Sequence, residues 1–235
     1  MSAETNLFNG AAWYLAFLFS TTLHEASHAL VALRLGDDTA HRGGQVTLDP
    51  IPHIRREPFG MVIVPILSYI MGGWMIGWAS APYDPDWARR NPRRAALMAL
   101  AGPAANLLLC LAAFVLIRLG LHLDWFRAPD QITNITHLVA ATHPEGLGEF
   151  AAVLLSVFFF LNLLLFLFNL VPLPPLDGSS LPLLFLSESA AERYSSFLRS
   201  PGVSLIGMVL AWQLFGSCSR AIYHGAIQCL YPGVY

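Results

Sequence analysis

His24, Glu25 and His28 form the pattern His-Glu-x-x-His, a spacing suited to chemistry on a metal ion. On a helix, residues four apart share one face and lie about 6 Å apart along the axis, so both imidazoles can bind a single zinc ion. Glu25, beside the first histidine, is placed to accept a proton from water. The implied chemistry is metal-assisted hydrolysis, in which zinc lowers the pKa of water toward about 7 and polarises a carbonyl. A site of this kind needs a third protein ligand. The metzincin pattern would place a histidine at position 34, where this chain has Arg34. Ionisable residues at the edges of apolar segments are few, and Asp177, which follows the cluster Pro172, Pro174 and Pro175, is the best placed of them.

The elements that must position these residues are membrane helices. Of 235 residues, 55% are hydrophobic and 12% charged, and the mean hydropathy is +0.55. Apolar stretches near residues 8–33, 95–117, 148–172 and 201–217 approach or exceed the roughly 20 residues that cross a hydrocarbon core about 30 Å thick. The expected fold is an all-α, polytopic helical bundle with about four spanning helices plus a re-entrant or β-hairpin segment. It forms one domain over residues 1–235, with a core at about 8–180 and a C-terminal amphipathic and transmembrane part at 181–235. Two histidines and a glutamate inside a spanning helix cost several kcal/mol unless they line a cavity or bind something, which favours function over chance for His24, Glu25 and His28.

Residues 8–34 read as one helix that stops at Gly36. Because it is preceded by Glu4 rather than by basic residues, it reads as a retained helix and not as a signal peptide. The turn-rich stretch 37–57 is expected to hold a short hairpin around GGQVTLDP. Residues 58–80 are apolar, but Pro65, Gly72, Gly73 and Gly77 weaken a continuous helix. Helices are expected at 94–118 and 148–171, a short amphipathic surface helix within SESAAERYSSFLRS, and a last span at 201–217. For Asp177 to reach the histidines, the first helix and helix 148–171 must run in the same direction. Segment 58–80 must then enter the membrane and return. That route collects most arginines on one side, which the positive-inside rule makes cytoplasmic.

Three motifs in order resemble the site-2 protease family of intramembrane metalloproteases: LHEASHAL (23–30), AGPAANL (101–107) and NLVPLPPLDG (169–178). GDDTAHRGGQVTLDPIPH (36–53) and GWASAPYDP (77–85) look like the compact bacterial and archaeal members, so the similarity covers most of residues 15–185. The resemblance implies that His24, His28 and Asp177 bind Zn2+ and that Glu25 is the catalytic base. It further implies that Asn106 lies near the substrate and that a strand around GGWMIG, containing Gly72 and Gly73, pairs with an unwound substrate helix. The expected partners are a transmembrane protein substrate and membrane lipid, at a multi-pass position in a bacterial or archaeal cell membrane. PDZ and CBS modules, which several members carry, are not expected.

Among the remaining polar residues, Asn169, next to the prolines, is read as a site residue, whereas Asn162 is read as helix packing. Gly102 and Pro103 are explained by a close helix contact or a kink. His41, His122, His137, His143 and His224 read as solvated, and so does His53 unless its DPIPH segment folds back near the active site; Cys110, Cys218 and Cys229 read as packing residues. A formal net charge of -2 gives no basic face for nucleic acid. A membrane metal-ion transporter would need further ionisable residues across the other helices, and almost none are present. A non-catalytic scaffold would not need an intact metal motif.

Overall fold

The computed structural model describes residues 3–143, 145–200 and 202–233, with side chains from residue 7 onward. The chain begins with a 33-residue helix, α1 (Ala3–Leu35), which ends at Gly36 in a left-handed conformation. Two short helices follow, α2 (Thr39–Arg42) and α3 (Pro50–Arg56). The hairpin expected between 37 and 57 is not formed. Asp49 instead caps α3 by accepting from the Ile51 N–H, and Pro50 stands at its first turn, a pair that starts a helix where alternation suggested a strand.

A π-helical turn (Phe59–Ile63) leads into α4 (Val64–Gly72), which turns at Gly73. Together these 14 residues reach about 21 Å, too short to cross a hydrocarbon core of about 30 Å. The chain then runs back without regular secondary structure. The Trp78 N–H donates to the Gly60 carbonyl at 3.1 Å, and the Ile76 N–H to Ser68 Oγ at 3.0 Å. Gly60 and Gly77 make this return possible, because a β-carbon on either would meet the backbone oxygen of Trp78 or Gly60 respectively. At its base Ser80 donates to Glu57, and the Asp84 N–H donates to Asp37 Oδ2 at 2.8 Å. Residues 57, 80 and 84 therefore share the end of the bundle with the C-terminus of α1, as a re-entrant segment requires. GGWMIG is not a β-strand; its Gly73 N–H donates to the Tyr69 carbonyl and its Ile76 N–H to Ser68 Oγ.

After α5 (Pro85–Arg90), α6 (Pro92–His122) starts with a proline at its first position. The connection to α7 (Leu147–Asn169) holds a two-stranded antiparallel sheet, β1 (Phe126–Arg127) and β2 (Ala140–Ala141), which the polar sequence did not announce. A 3-10 helix (Asp177–Leu184), the amphipathic α8 (Glu188–Leu198) and α9 (Val203–Leu230) complete the chain. The last helix runs well past the expected 217, and Pro201, where that span was expected to begin, lies outside the described residues.

Among the described residues, α6, α7 and α9 are the helices long and apolar enough to cross a membrane. α1 is longer than α7, but His24, Glu25 and His28 dilute its hydropathy, and it packs against both α6 and α7. Trp13 and Phe17 pack with Val157 and Leu161, and Ser20 reaches Asn162, so α1 and α7 rise together. Cys110 and Ile117 pack with Phe159, Phe160 and Ala152, and α6 runs the other way between them. Lipid tails are as apolar as leucine, so close packing and interhelical hydrogen bonds hold such a bundle rather than transfer from water.

Candidate metal centre

The metal-binding pattern sits in the C-terminal third of α1, on the face turned to α6. His24, Glu25 and His28 are 7%, 7% and 8% exposed, and one potential ligand atom from each lies within 4.8 Å of the others. The two Nε2 atoms are 3.0 Å apart. Asp177, the first residue of the 3-10 helix, places Oδ2 3.1 Å from Nε2 of His24 and 3.4 Å from Nε2 of His28. The proline-rich chain before it is supported by α9, whose Gly207 lies against the Pro174 carbonyl.

The proton positions show what these three atoms offer. Nδ1 of His28 is 2.8 Å from the Met98 carbonyl oxygen. A carbonyl only accepts, so Nδ1 carries the hydrogen and Nε2 of the neutral ring presents a lone pair. Nδ1 of His24 is likewise engaged, by Asn106 Oδ1 at 2.6 Å. Two lone pairs thus face Asp177 Oδ2, a buried oxygen for which the protein supplies no hydrogen-bond donor. Three acceptors converging without a proton between them fit a cation. The donor set, two imidazoles and one carboxylate, suits zinc with an open fourth position.

The space also fits. A β-carbon on Gly102 of α6 would fall against Nε2 of both histidines, so bare backbone borders the point where the donors meet. In the sequence, Gly102 with Pro103 signals only a close helix contact or a kink. Its spacing from Asn106, one turn further along the same face of α6, is the signal that links it to the site.

A model of peptidase family M50 matches residues 12–214. The chain belongs to peptidase family M50. This M50 chain is 35% identical to YwhC of Bacillus subtilis over 165 residues, which is 70% of this chain and 64% of YwhC. It is 30% identical to Rip2 of Mycolicibacterium smegmatis and 32% identical to Rip2 of Mycobacterium tuberculosis, each over 162 residues, 69% of this chain and 52% of the relative. All three relatives carry provisional names as zinc metalloproteases. The M50 chain therefore spans between half and two thirds of the curated relatives it matches. No solved structure matches it.

The other expected site residues of the M50 chain are distributed unevenly. Asn106 is 0% exposed, with Oδ1 on His24 and Nδ2 donating to Asn162 Oδ1 at 2.8 Å. Its oxygen and one of its two amide hydrogens are thus engaged inside the bundle. Asn169 is half-buried at the end of α7, where one amide hydrogen goes to the Leu165 carbonyl. Gly72 and Gly73 line a cavity of about 880 Å³ together with Asn9 and His137. Asn9 precedes His24 by fifteen residues of α1, about 22 Å along the axis, so the tip of the re-entrant segment is remote from the histidines. His53, expected in solvent, is 1% exposed and bonds through Nε2 to the Thr47 carbonyl of its own segment. The three cysteines are free; Cys110 is buried, and Cys218 and Cys229 are exposed.

Proposed function

We propose that this M50 chain is an intramembrane zinc peptidase that hydrolyses peptide bonds of transmembrane protein substrates. The observation that supports this reading is the convergence of His24, His28 and Asp177 beside Glu25, in a bundle where α6, α7 and α9 are long and apolar enough to span a membrane. His24, His28 and Asp177 would hold the ion, which supplies Lewis acidity toward water and a peptide carbonyl. Glu25 removes a proton from the attacking water and returns it to the leaving amine. Burial of the carboxylate beside the two histidines excludes bulk water and leaves Glu25 within reach of the reacting atoms.

A peptide bond inside a helix is hydrogen-bonded and screened, so the substrate must unwind before it is cut. The returning chain after Gly73 offers an edge for it. The Trp78 and Ile76 N–H groups donate to the π-turn and α4, and an extended substrate would pair with the alternate backbone groups from Met75 to Ala81 by β-augmentation. In this reading Met75 to Ala81, nearer the histidines than the Gly72-Gly73 tip, contact the substrate, and Asn169 holds the chain entering beside Asp177. The substrate arrives laterally through lipid.

The test is cleavage of a tagged model transmembrane helix by purified protein in detergent micelles and in liposomes. Native protein is expected to cleave it, a chelator to stop cleavage, and added zinc to restore it. Glu25→Gln is expected to be inactive. No cleavage by zinc-loaded native protein would remove the peptidase reading, and cleavage by Glu25→Gln at the native rate would remove Glu25 as its base.

A further inference from the structure

A chain of buried amides runs from α7 to the metal centre, and its direction is fixed at its far end. Asn162 Nδ2 is 2.8 Å from the Phe158 carbonyl oxygen and 2.9 Å from Ser20 Oγ. The carbonyl can only accept, so the nitrogen of Asn162 must lie there and its Oδ1 must point the other way. That oxygen accepts from Asn106 Nδ2 at 2.8 Å, which turns Asn106 Oδ1 toward His24 Nδ1 at 2.6 Å. An amide oxygen again only accepts, so Nδ1 of His24 carries the hydrogen. Nε2 is then the lone pair that faces His28 and Asp177. Asn106 and Asn162 are both 0% exposed, so water cannot substitute for either link.

We infer that Asn162 is a positioning residue for the metal centre, which acts through Asn106 to hold His24 in the tautomer and ring orientation that present Nε2 to the ion. The inference rests on the zinc-site reading above. Neither asparagine touches the point where the donors meet, and each link joins a different pair of helices: α7 to α6, then α6 to α1. Rotation of either amide would set oxygen against oxygen at Asn162 and Phe158, or nitrogen against a protonated Nδ1 at His24. The backbone of α7 thereby dictates the protonation pattern of a ligand on α1. Outer partners of this kind tune metal affinity by about 10- to 100-fold.

The experiment is zinc affinity of the full-length protein in detergent, measured by competition with a chromogenic chelator, with thermal midpoints recorded alongside. Asn106→Leu is expected to weaken zinc about 10-fold or more, and Asn162→Leu by several-fold. Asn106→Asp is expected to stay within about 3-fold of native, because a protonated carboxyl offers His24 the same acceptor and Asn162 the same donor. A packing role predicts the reverse order, since leucine suits an apolar bundle better than a carboxyl group does. Asn106→Asp binding zinc more weakly than Asn106→Leu, or folded Asn106→Leu binding it as native, would overturn the relay. His24→Ala serves as the control. If it leaves zinc affinity unchanged, the metal-site reading itself fails. Nitrogen NMR of histidine-labelled native protein gives a readout independent of any variant: a protonated Nδ1 at His24 is expected, and a protonated Nε2 in the metal-free protein overturns the inference.

Discussion

Gly102 lies flush against the imidazole of His24: a β-carbon on this α6 residue would collide with Nε2 of His24 and reach Nε2 of His28 as well. The absence of a side chain there keeps the meeting point of the donors open. Gly102→Ala is expected to lower zinc affinity at least tenfold while the protein stays folded. Alanine favours a helix interior by about 1 kcal/mol over glycine, so α6 itself gains. Zinc content and thermal midpoint, read on the same sample, separate the two effects. Native zinc affinity in Gly102→Ala would show that the ion sits elsewhere.

Removal of a donor and removal of the base have different consequences. His24→Ala, His28→Ala and Asp177→Ala each take one ligand from a three-ligand site, and each should leave less than one zinc per chain after dialysis. Glu25→Gln should keep its zinc and lose hydrolysis. Elemental analysis beside the cleavage assay tests both halves, and full zinc in Asp177→Ala would exclude that carboxylate from the coordination sphere.

Asp37 ties the end of α1 to the base of the re-entrant segment and gives the fold a pH dependence. Burial raises its pKa, but hydrogen bonds from the Thr39 hydroxyl and the Asp84 and Thr39 N–H groups outweigh this, so the carboxyl is held below its ordinary value. A depressed folded pKa means that the stabilisation is complete above the unfolded value of about 3.9 and is lost as pH falls through the lower folded value. The thermal midpoint of native protein in detergent should drop on acidification below about pH 4. Asp37→Asn should start lower at pH 7 and fall less over that window. Parallel curves for the two proteins would show that Asp37 carries none of the dependence.

The return of segment 58–80 has a topological readout. In a background without native cysteines, Arg55→Cys and Asp86→Cys are expected to be protected from an impermeant thiol reagent in intact cells and to react after lysis. Asp130→Cys, in the connection between α6 and α7, is expected to react in intact cells. Labelling of positions 55 and 86 from opposite sides would mean that the segment crosses.

What the sequence determined by itself is whatever depends on near neighbours along the chain. Hydropathy placed α1, α6 and α7 within about five residues of their observed ends, even with Gly102 and Pro103 inside α6, and α-helical geometry alone put His24 and His28 on one face. Asp177 stood out because a carboxylate beside an apolar segment is costly. The parallel course of α1 and α7 followed from requiring those residues to meet. Local signals also misled: GGQVTLDP alternates like a strand, yet the Asp49 cap and Pro50 start a helix there. Only the tertiary structure decided that Gly102 borders the donors, that the Asn106 oxygen turns to His24, and that Asn162 sets the direction of the amide chain. These relationships depend on the axial register and rotation of α1, α6 and α7 against one another. A shift of one residue, about 1.5 Å along an axis and 100° around it, would break each contact while leaving every local pattern in the sequence unchanged.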